Sequence, residues 1–196
     1  MGLPLRDAQR HTYREYRTWP EDVRYELIDG MAYAMAPPVR IHQRVMLEMA
    51  RQIAGALEDS PCEVNVAPFD VRLPDGIESD DDVLTAVQPD IVVVCDPDKL
   101  DTYGCRGAPD IVIEVLSPST AAHDQTVKLA AYERHGVKEY WLVHPADRIV
   151  TVYSWANGGY SRPAISEFEG TLTSNAVPMI SIDWARIVAR LPENPP

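Results

Sequence analysis

"GAPDIVIEVLSPST", residues 107–120, decides how the rest of the chain is read. From Ile111 to Leu116 every residue is apolar except Glu114. A short run rich in Val and Ile makes a strand covered on both faces. An ionised carboxylate in such a strand is costly unless something compensates its charge. Glu114 is therefore either half of a salt bridge or a ligand for a cation.

One step outward lies "DIVVVCD" (90–96), a second buried strand of the same kind. The link 97–109 holds no evident crossover helix, so the two strands are expected to pair antiparallel. Folding back on that link puts Asp90 beside Glu114 or Val115, and Asp110 near Cys95. Along one strand, at about 3.3 Å per residue, Asp110 and Glu114 stand roughly 13 Å apart, too far to share an ion. Asp90 and Glu114 are the plausible partners. Two carboxylates side by side repel, and at neutral pH they need a shared proton or a cation. Oxygen-only ligation by one or two carboxylates, water and phosphate suits Mg²⁺ or Mn²⁺. Such a site supports attack of water on a phosphodiester, helped by a nearby cation that offsets transition-state charge.

Further out, "REYRTWPEDVRYELIDGMAYAM" holds a short helix around 12–18, then a hairpin turning tightly at Asp29-Gly30. "IHQRVMLEMARQIAGALED" (41–59) carries Val45, Met46, Met49, Ile53 and Leu57 at helical spacing. "CEVNVAPFDVRL" (62–73) alternates in two pieces about Pro68, as a bent strand would. "STAAHDQTVKLAAYERHG" (119–136) reads as a helix capped by Ser119 or Thr120 and stopped by Gly136. A strand (138–145), a hairpin about Asn157-Gly158-Gly159, an extended piece and a short helix complete the chain. This mixed order points to one α/β (α+β) domain over residues 1–196, with its core at about 20–185.

The chain has 196 residues and a formal net charge of −12, which opposes nonspecific binding to long nucleic acids. "PDGIESDDDVL" (74–84) holds five acidic residues and no basic one, and reads as a solvated loop. Cys62, Cys95 and Cys105 form no zinc spacing, and their odd number suggests reduced thiols, with Cys95 a small core residue. There is no apolar run long enough to span a membrane and no signal-peptide core, so a cytoplasmic protein is expected.

Pro89-Asp90 followed by Glu114 resembles the PD-(D/E)XK nuclease superfamily, although Leu116 stands where that pattern has its lysine. "GAPDIVIEVLSPST", "HDQTVKLAAYERHGVKEYWLVHP" and "YELIDG" together resemble the Uma-two family of bacterial restriction endonuclease-like proteins, over roughly 12–190. The resemblance implies a restriction endonuclease-like fold: a central mixed β-sheet flanked by helices, with an added N-terminal hairpin and C-terminal strands. It implies Asp90 and Glu114 as ligands for Mg²⁺ or Mn²⁺, Lys128 as the catalytic cation, and by analogy DNA as the substrate. A homodimer is expected, since despite the net charge it could present a local basic face with Arg40, Arg44 and Arg51, or Lys99 and Arg106.

Each residue has a plainer reading. Lys128 follows Asp124 by four residues, the spacing of an exposed helix ion pair. His42 and Glu48 on the first long helix, and Glu26 in "YELIDG", could reach the site or could cap and face solvent. His123 could replace the absent strand lysine. Two other functions also fit: a catalytically inactive binding or assembly module on the same scaffold, and a hydrolase of small phosphodiesters or nucleotides.

Overall fold

The computed structural model describes residues 9–20 and 23–192. In chain order the elements begin with α1 (Tyr13–Tyr16), β1 (Tyr25–Ile28), β2 (Met31–Ala34) and α2 (Arg40–Ala56). Seven strands follow: β3 (Glu63–Val66), β4 (Asp70–Arg72), β5 (Ala86–Val87), β6 (Ile91–Val94), β7 (Leu100–Asp101), β8 (Gly104–Arg106) and β9 (Ile111–Val115). A helical segment runs through α3 (Ala121–His123), a π-helical turn (Asp124–Lys128) and α4 (Leu129–His135). The chain then forms β10 (Glu139–His144), β11 (Ile149–Ala156), β12 (Gly159–Tyr160), β13 (Ala164–Glu167), β14 (Thr171–Thr173), β15 (Ser181–Asp183) and α5 (Trp184–Val188).

A seven-stranded mixed sheet, ordered β12-β11-β10-β9-β6-β3 with β13 also on β11, forms the centre. β6 and β9 pair antiparallel as expected, with Ile91 opposite Ile113 and Val93 opposite Ile111. That register carries Asp90 to the position facing Glu114. At the other end Asp110 accepts a hydrogen bond from the Cys95 amide at 2.7 Å. β9 and β10 are parallel, joined by the α3–α4 segment as a crossover.

Side chains leave the two faces of β6 and β9 alternately and both faces are covered, which explains why these strands are apolar apart from Glu114. Ile91, Val93, Ile111 and Ile113 pack with Val45, Met49 and Ile53 of α2 and with Trp141 and Trp184. Val92 and Val112 face the other way and pack with Tyr132, Tyr140, Ile28, Val71 and Val87. Asp90 and Glu114 belong to this second face.

The N-terminal hairpin is part of something larger than an appendage. β2-β1-β5-β4-β8-β7 form a six-stranded second sheet over the face that bears Asp90 and Glu114. The two pieces about Pro68 are therefore not one bent strand: β3 pairs with β6 in the first sheet, and β4 joins β5 and β8 in the second. Asp29 and Gly30 both have positive φ, 52° and 78°, as a tight hairpin turn requires.

Two other expectations are corrected. Cys62 and Cys95 form a disulfide, because the antiparallel register that pairs Glu63 with Val94 sets them opposite each other; Cys105 is free and buried. The acidic loop is anchored rather than merely solvated. Asp80 pairs with the fully buried Arg72 and with Arg106, and Asp81 pairs with Arg14 and Arg17. Among the described residues no helix is long and apolar enough to cross a membrane.

Candidate active site

Between the two sheets and the α3–α4 crossover opens a cleft of about 230 Å³, lined by Glu26, Asp90, Glu114, His123, Asp124 and Lys128, among others. They arrive from four parts of the chain. Glu26 comes from β1, Asp90 from the residue before β6, Glu114 from β9, and the last three from the crossover.

Lys128 is the hub. Only 2% exposed, it lies far from the solvent-facing position that its spacing from Asp124 suggests. Its Nζ stands 2.5 Å from Glu114 Oε1, 2.8 Å from Glu26 Oε1 and 3.7 Å from Asp124 Oδ1. The π turn explains this placement: its i→i+5 bonding inserts an extra residue into the helix and redirects the side chains beyond it. Glu26 Oε1 also accepts the Gln88 amide at 2.9 Å, and Glu114 Oε1 accepts the Tyr132 hydroxyl at 3.2 Å.

Asp90 is held from two sides. Its Oδ2 accepts the Val115 amide at 2.8 Å and lies 2.9 Å from His42 Nε2. Among the described residues no hydrogen bond reaches Asp90 Oδ1 or Glu114 Oε2. His123 packs its ring against Tyr33 at 4.6 Å, and its Nε2 is 3.8 Å from Glu26 Oε2. Both His123 ring nitrogens are buried without a hydrogen-bond partner. Burial lowers the pKa of this imidazole, which keeps it neutral.

The electrostatics come down to a count. Glu26, Asp90, Glu114 and Asp124 are four carboxylates, and Lys128 is the lysine they surround. Burial alone would depress the Lys128 amine, but Glu114, Glu26 and Asp124 overcome it and hold its pKa well above 10.5. Burial raises Glu114 far above an ordinary carboxylate, with Asp124, Asp90 and Glu26 adding repulsion that Lys128 only partly offsets. Burial likewise lifts Asp124 from 3.8 to about 6. Burial thus lifts the two acids first and the surplus of negative charge adds to it, while that same surplus lifts the amine.

Glu48 is not brought here. It lies on α2 away from the cleft, where Arg51, Gln52 and Arg190 surround its carboxylate. Two contributors went unrecognised in the sequence. The Tyr132 hydroxyl could have been suspected from its place four residues after Lys128, on the same helix face. The Gln88 amide carries no side-chain signal at all.

No three of His, Cys, Asp and Glu converge as a ready metal cage among the described residues. The donor set fits a hard divalent ion in a more limited form. Asp90 and Glu114, each with one oxygen free of hydrogen bonds among the described residues, would offer two carboxylates to an ion whose remaining positions water and phosphate oxygens complete, as Mg²⁺ commonly accepts.

Comparison with known proteins adds three findings. A family model described as "Uma2: Putative restriction endonuclease" matches residues 13–185. An uncharacterised protein of Synechocystis sp. is 27% identical over 142 residues, covering 71% of each chain. The crystal structure of a "putative nuclease belonging to DUF820" from Anabaena variabilis superposes with a TM-score of 0.72, covering 91% of this chain and 98% of that one. At 18% identity the last likeness is one of fold.

Proposed function

The chain belongs to the Uma2 family, and on that premise we propose that it is a Mg²⁺- or Mn²⁺-dependent endonuclease that hydrolyses phosphodiester bonds in DNA. The observation that carries this reading is the meeting of Asp90, Glu114 and Lys128 in one cleft, with the amine 2.5 Å from the Glu114 carboxylate.

Asp90 and Glu114 would hold the ion, which supplies Lewis-acid polarisation of the phosphate and lowers the pKa of water. Everything else falls to the chain. His42 and the Val115 amide fix one Asp90 oxygen and leave the other free of hydrogen bonds among the described residues. Lys128 stays protonated and cannot serve as a base at neutral pH; its charge positions water and offsets the charge growing on the phosphate. Asp124, at about 6, is the carboxylate suited to exchange a proton near neutrality. Tyr132 and Tyr140 line the buried side of this network and keep water from it.

DNA as substrate and a homodimer as the working unit are part of the same proposal. Arg40 and Arg44 bracket the cleft-lining His42 and Gln43 and make no ion pair among the described residues, which suits them to a phosphate backbone. The net charge of −12 favours a second reading, hydrolysis of a small phosphodiester or nucleotide.

The test combines Mn²⁺ titration calorimetry with cleavage of plasmid and oligonucleotide. The wild type should bind Mn²⁺ and cleave only with metal, and Glu114→Gln should lose both. Cleavage confined to small phosphodiesters selects the second reading. Neither binding nor cleavage means an inactive scaffold.

A further inference from the structure

Beside the cleft, on the other side of Arg24 and Gln88, lies a recess of about 530 Å³. That volume is within the range of small-ligand sites. Its walls are aromatic: Tyr16, Trp19 and Tyr25 form an edge-to-face cluster with neighbouring ring centroids 5.3–5.5 Å apart, and Tyr103, 57% exposed, also lines the recess. Its floor is polar. Asp70 accepts the Tyr13 hydroxyl at 2.8 Å and the Gln88 amide at 2.8 Å. Such a shape, planar apolar walls over hydrogen-bonding groups, suits a flat heteroaromatic ring with a polar edge.

The recess and the cleft are connected by one shared residue and a chain of hydrogen bonds. Arg24 lines both. Its Nη2 donates to Gln88 Oε1 at 2.6 Å, Gln88 Nε2 reaches Asp70, and the Gln88 backbone amide is bound to Glu26 inside the cleft. The next two residues are Pro89 and Asp90. At the outer rim the Arg17 guanidinium sits 5.4 Å from the Tyr103 ring centroid. Cations at the rim, aromatic walls and a polar floor repeat the features with which proteins hold single-stranded nucleic acid.

We propose that this recess is a nucleobase subsite: it stacks an unpaired base of the strand whose phosphate lies in the cleft, with Tyr103 as the outer stacking face. The subsite rests on the nuclease reading for its choice of ligand, and makes the preferred substrate a single-stranded or locally unpaired one. Duplex DNA would have to expose a base to fill it.

The experiment uses a single-stranded oligodeoxynucleotide carrying 2-aminopurine, mixed with the full chain in chelator so that no cleavage intervenes. Stacking should quench the 2-aminopurine fluorescence on binding to the wild type. Tyr103→Ala, a change at an exposed side chain, should weaken binding about tenfold and relieve the quench. Tyr103→Phe should restore both. Absence of quenching, or equal binding by Tyr103→Ala, overturns the subsite. The two proposals fail separately. Metal-dependent cleavage with no Tyr103 effect removes the subsite and leaves the nuclease. Tyr103-dependent quenching in a protein that never cleaves keeps the subsite and removes the nuclease.

Discussion

Lys128 neutralises carboxylates that nothing else in the cleft neutralises, so truncating it tests the electrostatic reading directly. In Lys128→Ala, Glu26, Glu114 and Asp124 would face one another without their shared cation. Breaking a buried ion pair from one side typically costs about 3–5 kcal/mol. We expect a loss of that order at pH 7.5, shrinking at pH 5 as Glu114 and Asp124 take up protons, read from urea unfolding at both pH values. An equal loss at both would mean that packing of the lysine stem, not charge, is what matters. Asp124 supplies an independent check. Its pKa is about 6 in the folded chain against an ordinary 3.8, so the native state takes up this proton first as pH falls. The resulting stabilisation is complete below 3.8 and is lost as pH rises through about 6. In chelator, acidification from pH 7 to 4 should therefore stabilise wild type relative to Asp124→Asn, by on the order of 3 kcal/mol for a two-unit shift. A flat difference across that window would remove the claim that Asp124 is a buried, charge-crowded acid.

The π turn at Asp124–Lys128 is the element that converts a surface-like spacing into a buried hub. Deleting Gln125, which is exposed, should restore regular α-helical bonding and rotate α4 against α3 by about 100°. Far-UV circular dichroism should then keep its helical signal while oligonucleotide cleavage is lost; retained cleavage would show that the bulge does not position Lys128. The same turn marks a limit of sequence reading. Asp124 and Lys128 stand four apart, which matches a solvent-facing pair, and hydrophobic spacing does not register one inserted residue. The pairing of β6 with β9 was legible, because both runs are apolar apart from Glu114 and the link between them shows no crossover helix. With the pairing came Asp90 opposite Glu114. β4 shows where legibility ends. Pro68 signals a break, yet nothing local tells which sheet the chain enters next. There the fit depends on Gly104, whose φ of +132° lets β8 lie against Asp70; an added Cβ would collide with the Asp70 carbonyl oxygen. Gly104→Ala should cost on the order of 2–3 kcal/mol, seen as a lower denaturant midpoint.

At the scale of the whole molecule, the second sheet turns a strand bearing a carboxylate into a covered cleft. Its strands β4, β5, β7 and β8 are two or three residues long, too short for alternation to reveal, and they assemble only through contacts distant in sequence. Closing the cleft in this way raises Glu114 and Asp124 by burial, but with DNA as the proposed substrate it leaves an acidic protein to meet an acidic polymer. A net charge of −12 means that long-range attraction cannot bring DNA in, so any affinity must come from a few local contacts. Arg40 and Arg44 beside the cleft are the candidates. If they alone meet the backbone, about two phosphates are neutralised. Log affinity for a single-stranded oligonucleotide should then fall against log salt with a slope of about −1.4. Reversing both charges, in Arg40→Glu with Arg44→Glu, should bring that slope near zero and weaken binding while leaving calorimetric Mn²⁺ affinity unchanged. A slope several times steeper in the wild type, or one that the reversal leaves untouched, would place the nucleic-acid path on another face and detach it from α2.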